Sequence, residues 1–460
     1  MRRILDFWRV SDIPQLARRN YVAELWQMSL WGIVAGALEG PIAAVVVAKT
    51  FNASGLLTAI VFSIPISANL LNVVWSVILR GRQRIRTFTL IASAACVGIL
   101  SIGLTDAAWG PWAARLFAAQ MLFTHLFTSG LITLRTTMWR ANYPQTHRAQ
   151  IAGRLQTLRM LLSLLTAALL SALFDWHADY YRFVYPLVAL VGLLSLWPLR
   201  RMRMRGEKAE LRRLHAHLTR DNHNGNGRIG LWEGLKESAA ILRHDRPYAQ
   251  YMFAQFLLGS ANFLTDPVLV YILTKRLELS YFSSTFLLFQ VPIAVLLISI
   301  GFWARRFDRV GVLRFRIANS GCWTASYAFL TVAIAIIGLS DETAIAPAIA
   351  ILLVARVLRG LGRGGGAIAW PLGHLHFARE HQTELYMGIH VALTGLRGLV
   401  MPLLGWAAYY YLDWGMFAIA FGFAGASHVL FRRLAAADHQ PPRECASDRD
   451  EGPGPPPEVS

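Results

Sequence analysis

The sequence predicts an all-α membrane protein with twelve transmembrane helices in two six-helix bundles. Three observations lead to this fold class: long apolar runs, arginine-rich loops after alternate runs, and an internal repeat. Of the 460 residues, 55% are hydrophobic and only 16% are charged, and the mean hydropathy is +0.40. A chain of this length with this composition is too apolar for a water-soluble protein.

The apolar runs are long enough to cross a bilayer, because a helix spanning the roughly 30 Å hydrocarbon core needs about 20 mainly apolar residues. The runs are 24-48, 55-79, 88-105, 111-138, 152-174, 182-199, 248-274, 282-303, 316-339, 344-371, 387-411 and 414-431. The predicted divisions are a cytoplasmic lead-in at 1-20, an N-terminal bundle at 21-199, a cytoplasmic linker at 200-246, a C-terminal bundle at 247-433 and a disordered cytoplasmic tail at 434-460.

The formal net charge of +18 lies in short clusters between apolar runs rather than on one domain. This distribution argues against nucleic-acid binding and is typical of a membrane protein whose basic loops face the cytoplasm. Arginines follow the second, fourth and eighth runs, whereas acidic residues lie in the opposite loops. We therefore predict a multi-pass protein of the inner cell membrane with both termini in the cytoplasm.

An internal repeat relates the two halves. A shift of 226 residues, the separation of Lys49 and Lys275, needs no gap across three runs. The identities that it brings together are Leu38 with Leu264, Pro41 with Pro267, Ser54 with Ser280, Arg80 with Arg306 and Cys96 with Cys322. Two similar bundles can rock about a central site and expose it to each side in turn. The repeat thus predicts a monomeric secondary transporter of a small solute, driven by a proton or by the solute gradient itself.

The loop WARRFDRVGVLR at 303-314 resembles the loop signature of the major facilitator superfamily, and the resemblance covers most of residues 20-433. It implies two six-helix bundles joined by a long cytoplasmic loop. The residues that match the signature, and that the resemblance assigns to a gating loop, are Asp308, Arg309, Gly311 and Arg314. The equivalent loop at 80-86 keeps the positive charge but has no acidic residue, so the implied gating ion pair belongs to the second half.

Two further stretches carry the resemblance. Arg356 and Gly360 match the Arg-x-x-x-Gly pattern that the family usually has in its fourth helix, where this chain has Arg115 followed by Ala119. WPLGHLHFA and YMGIHVALTGLRG resemble a bacterial branch of the superfamily.

The tenth run contains the most intramembrane charge. Arg356, Arg359 and Arg363 are spaced by three and four residues, which places them on one helical face. If that face lines the central cavity, the guanidinium groups can bind an organic or phosphorylated anion. The predicted substrate-binding residues are Arg356, Arg359 and Arg397. The alternative is structural, with Arg356 bonded to neighbouring helices and Arg363 reaching cytoplasmic water.

Two acidic residues lie within apolar runs beside the matched prolines. Glu39 and Asp266 are the predicted proton-coupling residues, because burial allows a carboxyl group to be neutral in one state and charged in another. The alternative is a salt bridge to an intramembrane arginine, Lys49 or Lys275.

The sequence has no nucleotide loop, nucleophile elbow or paired-carboxylate pattern, which argues against an enzyme or an ATP-driven pump. We expect no cofactor and no metal. The expected partners are a small solute and membrane lipid. The alternative function is a non-transporting receptor or scaffold with the same fold, acting through its linker or tail.

Overall fold

The computed structural model describes residues 13–38, 41–79, 82–209, 211–212, 231–339, 342–378 and 383–438. These ranges are helical throughout, apart from short turns, and contain no β-strand. The spans are α1 (Gln15–Leu38 and Pro41–Lys49), α2 (Gly55–Leu71 and Asn72–Ile78), α3 (Arg84–Ile102), α4 (Pro111–Asn142), α5 (Gln145–Trp176), α6 (Tyr181–Leu194 and Leu196–Leu199), α7 (Arg246–Tyr271 and Ile272–Arg276), α8 (Tyr281–Val310), α9 (Val312–Leu339), α10 (Ile345–Leu372), α11 (Thr383–Leu412) and α12 (Gly415–Ala437).

In the described ranges, ten helices are long and apolar enough to cross a membrane by themselves. The two arms of α1, bent by 41°, form an eleventh span. The shorter apolar helix Gly55–Leu71 occupies the position of the predicted second run. The predicted all-α class is therefore confirmed.

The two halves pack their helices in the same way. In the first half α1 lies against α5 and α6, and α3 against α4 and α6; in the second half α7 lies against α11 and α12, and α9 against α10 and α12. The halves meet where α2 contacts α11 and where α5 contacts the start of α8. This arrangement is two six-helix bundles with a seam between them.

The repeat extends to backbone conformation. Asn52 after α1 and Glu278 after α7 lie 226 residues apart, and both have left-handed φ angles, 48° and 50°. Two residues later, Ser54 and Ser280 each accept a hydrogen bond from the N–H group three positions on. A serine in this position satisfies one of the free N–H groups at the start of a helix. The aligned serines are thus equivalent N-caps of α2 and α8.

The first part of the predicted linker at 200-246 packs on the N-terminal half. Asn20 exchanges two hydrogen bonds with the backbone of Arg203, at 2.9 and 3.1 Å. The carboxylate of Glu207 accepts a hydrogen bond of 2.8 Å from the N–H of Arg84 at the start of α3. A helix, Leu231–His244, precedes α7. Residues 439–460 of the predicted tail lie outside the described residues.

Glycines let α10 approach its neighbours closely. A Cβ atom at Gly360 would lie 2.5 Å from the Cβ of Val295 and 2.9 Å from the carbonyl oxygen of Pro292 on α8. A Cβ atom at Gly362 would lie 2.8 Å from the ring of Trp323 on α9. Small residues at such crossings allow helix backbones to come together in a membrane. Gly360 and Gly362 are therefore packing residues.

We expect Gly360→Val to lower the free energy of unfolding by about 1–3 kcal/mol, the usual cost of adding bulk to a filled interface. The measurement is the thermal midpoint of detergent-solubilised protein. Gly366→Val is the matched control, because nothing lies within 4 Å of a Cβ atom at Gly366 in the same helix. Equal midpoints for the two variants would contradict this packing.

Candidate functional site

An ion-pair cluster lies where α7 meets α10. The carboxylate of Asp266 on α7 is bonded to the guanidinium of Arg359, and its second oxygen is 3.8 Å from Nη1 of Arg356. The arginine side chains are 2% and 4% exposed, while that of Asp266 is 15% exposed. The Asp266 side chain is therefore the most exposed of the three.

Arg356 is bound mainly by backbone. Its Nε donates to the carbonyl of Leu287 at 2.7 Å, and its Nη2 donates to that of Leu288 at 2.9 Å. Both carbonyls belong to Phe286–Gln290, a π-helical segment of α8. A π-helical turn departs from the ordinary α-helical pattern of backbone hydrogen bonds. These contacts favour the structural interpretation of Arg356.

Arg359 has fewer hydrogen-bond partners than its donors allow. Besides Asp266, it contacts the hydroxyl of Tyr327 at 3.4 Å and lies over the ring of Trp323, with 5.2 Å between guanidinium and ring centroid. Its Nε and Oδ1 of Asp266 have no hydrogen-bond partner among the described residues. Buried polar atoms usually have a partner. The pair therefore keeps hydrogen-bonding capacity that a ligand or water can use.

Arg363, one turn further along α10, is half-buried. Its side chain makes no hydrogen bond or ion pair with the described part of the chain, and it interacts electrostatically with Arg359 and Asp266. With Arg356 included, three guanidinium groups face one carboxylate. The cluster thus carries a net positive charge inside the C-terminal bundle.

Arg397 on α11 lies apart from this cluster. Its guanidinium donates to the carbonyl of Gln255 on α7 and, at 2.8 Å, to the hydroxyl of Thr394. It also lies against Gly259, where a side chain would displace it. Arg397 therefore links α11 to α7 at a different level from Asp266.

The predicted gating-loop residues are not brought to the cluster. Glu39 lies outside the described residues. Asp308, Arg309, Gly311 and Arg314 lie at the exposed turn between α8 and α9. Gly311 has a φ of 73°, a left-handed conformation that suits glycine. Asp308 makes no ion pair with the described residues, so the implied gating pair stays a prediction.

A second buried cluster was not predicted. Glu24 on α1 is 3% exposed and accepts hydrogen bonds from the hydroxyl of Tyr143 at 2.6 Å and the indole of Trp139 at 3.0 Å. Nearby, Arg135 donates to the side chain of Gln27 at 3.0 Å. The sequence signal that could have identified this cluster is the position of Glu24, an acidic residue at the beginning of the first apolar run.

Hydrogen bonds join the two halves at the face that carries the acidic loops. Asp175 at the end of α5 accepts from the N–H groups of Tyr281 and Phe282 at the start of α8, at 2.5 and 2.8 Å. One turn deeper, the hydroxyls of Ser171 and Thr285 are 2.7 Å apart. A carboxylate is favourable at a helix N-terminus, where free N–H groups and the positive end of the helix dipole meet. The seam is closed at this face.

Two repeat-related lysines reinforce the closed face. Lys49 donates to the carbonyl of Leu279 at 2.8 Å, and Lys275 donates to the side chain of Asn52. Each lysine therefore contacts the turn of the opposite half.

The described residues contain no group of three His, Cys, Asp or Glu side chains arranged to bind a metal ion. The candidate site is thus the ion-pair cluster of Asp266, Arg356, Arg359 and Arg363 inside the C-terminal bundle. The seam between the two bundles is closed at one face.

A family profile described as Major Facilitator Superfamily matches residues 28–340. No curated protein matches the chain. The fold is similar to a D-xylose–proton symporter, with a TM-score of 0.65, 12% identity, and coverage of 91% of this chain and 98% of that one. It is also similar to the nucleoside transporter NupG, with a TM-score of 0.60, 12% identity and coverage of 92% and 99%. A peptide transporter POT in complex with sulfate gives a TM-score of 0.62, 13% identity and coverage of 93% and 96%.

The closed face predicts a cross-link. In a background without native cysteines, Ser171→Cys with Thr285→Cys should form a disulfide under mild oxidation, because the parent hydroxyls are 2.7 Å apart. Peptide mapping by mass spectrometry without reductant measures the yield. Ser171→Cys with Ser283→Cys is the control pair, because Ser283 lies on another face of α8. Equal yields in the two pairs would contradict the closure.

Proposed function

Because the chain belongs to the Major Facilitator Superfamily, we propose that it is a secondary transporter that carries a small organic or phosphorylated anion through the seam between its bundles. The observation that supports an anionic substrate is the net positive charge of the cluster, in which three arginines lie around one carboxylate. Uncompensated charge in a membrane interior is costly and marks pathways for ions and substrates. An anionic solute supplies the missing negative charge.

Arg363 and Arg359 bind the solute in this proposal. Arg363 has no bonded partner in the described chain, and Arg359 retains an unused donor at Nε. A planar guanidinium group can bind a carboxylate or phosphate through two hydrogen bonds. Arg356 positions Arg359 and Asp266 rather than binding the solute, because its own donors are bonded to carbonyls of α8.

Asp266 couples transport to a proton. When the carboxylate is charged it holds Arg359, and when it accepts a proton the ion pair is lost and Arg359 is free for the solute. The solute and Asp266 therefore compete for the same guanidinium group. The 15% exposure of the Asp266 side chain supports access for a proton.

Alternating access follows from movement of one bundle against the other. Opening the closed face requires loss of the contacts around Asp175 and Ser171. The excess of arginine in the loops at the other face supports a cytoplasmic position for that face and for both termini. The structural neighbours carry xylose, nucleosides or peptides according to their names, so they support transport without selecting a substrate.

The proposal predicts which solutes stabilise the protein. In a thermal-shift screen of detergent-solubilised protein against anionic, cationic and neutral metabolites, we expect anions to raise the melting midpoint, because ligands that bind the folded state stabilise it. Arg363→Gln should weaken the binding of the best anion by about tenfold, the factor for one hydrogen bond to a charged group. Arg276→Gln is the control, since Arg276 pairs with Asp413 at the surface, at 3.1 Å. Stabilisation by cations alone would overturn the anion assignment.

Asp266→Asn tests proton coupling, because it keeps the size of the side chain but cannot titrate. In liposomes, uptake driven by a pH gradient should fall to the level measured without a gradient, whereas exchange of internal for external solute should continue. Asp413→Asn, which alters the surface pair with Arg276, should leave both activities unchanged. Gradient-driven uptake at the wild-type level in Asp266→Asn would exclude Asp266 as the proton carrier.

A further inference from the structure

A groove runs along the outside of the N-terminal bundle between α3 and α6. Its volume is about 690 Å³. The lining residues are Thr89, Ser93, Leu190, Leu193, Leu194, Leu196, Trp197 and Arg200. Apart from two hydroxyls in the middle and the arginine at one end, the lining is aliphatic or aromatic.

The groove faces the membrane rather than the seam. Leu194 and Trp197 are 62% and 59% exposed, and α3 and α6 pack on helices of their own half. In a transmembrane span, an exposed apolar surface of this kind contacts acyl chains. Lipid, rather than solute, is therefore the molecule available to fill it.

One end of the groove is polar and positively charged. Arg200 directly follows the last residue of α6 and is exposed, and its side chain makes no hydrogen bond or ion pair with the described residues. The guanidinium of Arg201 lies over the ring of Trp197, 3.9 Å from its centroid. On α3, Arg86 is exposed and lies three positions before Thr89, on the same helical face. Arg200 thus lines the groove at this end, and Arg86 lies one helical turn beyond Thr89 of its lining.

The dimensions of the groove suit one lipid chain in one leaflet. Leu190 and Arg200 are ten residues apart, which is about 15 Å along a helix and half of the hydrocarbon thickness. The arginines lie at the level of the arginine-rich loops, where anionic headgroups attract basic residues. Tryptophan is common at this boundary because its ring is amphipathic.

We propose that this groove binds an anionic phospholipid of the leaflet at the arginine-rich face, with an acyl chain against the leucines and the phosphate between Arg200 and Arg86. The site is separate from the ion-pair cluster around Asp266, so it does not depend on the proposed transport mechanism. Its ligand is selected by charge at the mouth and by shape along the groove.

The C-terminal half lacks the same chemistry. Aligning Trp176 with Trp414, a shift of 238 residues, brings the last residues of α6 and α12, Leu199 and Ala437, into register. Alanine and aspartate then occupy the positions equivalent to Trp197 and Arg200, namely Ala435 and Asp438. The proposed lipid site is therefore specific to the N-terminal half, and the C-terminal half provides a built-in control.

Native mass spectrometry of the detergent-purified full chain tests the site, with added phosphatidylglycerol or phosphatidylcholine as the probe. We expect wild-type protein to retain phosphatidylglycerol in preference to phosphatidylcholine. Arg200→Gln should weaken phosphatidylglycerol retention about fivefold, the factor for one arginine near an anionic headgroup. Ser93→Phe, which fills the groove without changing its charge, should reduce retention of the same lipid. The melting midpoint without added lipid verifies that each variant is folded.

Arg432→Gln is the matched control, because Arg432 is an exposed arginine near the end of α12. It should retain phosphatidylglycerol at the wild-type level. An equal loss in Arg432→Gln would mean that net charge alone holds the lipid and would overturn the proposal. Wild-type retention in Arg200→Gln or in Ser93→Phe would also overturn it, as would equal retention of phosphatidylcholine by the wild-type protein.

Discussion

The arrangement of the C-terminal bundle depends on how arginine is accommodated inside a membrane. A charged group at the centre of a spanning helix costs about 2.5–3.5 kcal/mol on insertion scales. Here that cost is offset from three sides: Asp266 on α7 supplies a countercharge, a π-helical segment of α8 supplies carbonyls, and Trp323 on α9 supplies an aromatic face. The close packing of α10 at Gly360 and Gly362 brings α8 and α9 within reach.

The two halves share a scaffold but differ in chemistry. The buried acid of the N-terminal half, Glu24, is bonded to neutral donors from Tyr143 and Trp139. The buried acid of the C-terminal half is bonded to arginine. Repeat-related turns and N-caps have the same conformation in both halves, whereas the polar residues inside the two bundles differ. One half thus pairs its buried carboxylate with arginine, whereas the other bonds its carboxylate to a hydroxyl and an indole group.

Sequence patterns predicted the spans, the repeat and the arginine stripe because apolar length and helical spacing are local properties. The bonding partners of each arginine could not be predicted in this way. Arg356 depends on two carbonyls in a π-helical segment of α8, which helical spacing alone does not mark. Arg316, the first residue of the predicted ninth run, is buried and donates to the carbonyl of Ala369 at 3.0 Å. Glu24 depends on partners more than 100 positions away.

The reciprocal contacts of Lys49 and Lys275 have a consequence for how the closed face opens. Each lysine is anchored in one bundle and bonded to the turn of the other, Lys49 to the carbonyl of Leu279 and Lys275 to the side chain of Asn52. The two bonds therefore cross the seam in opposite directions. Any movement that separates the two turns must break both bonds, so neither bundle can leave the closed face while either bond remains.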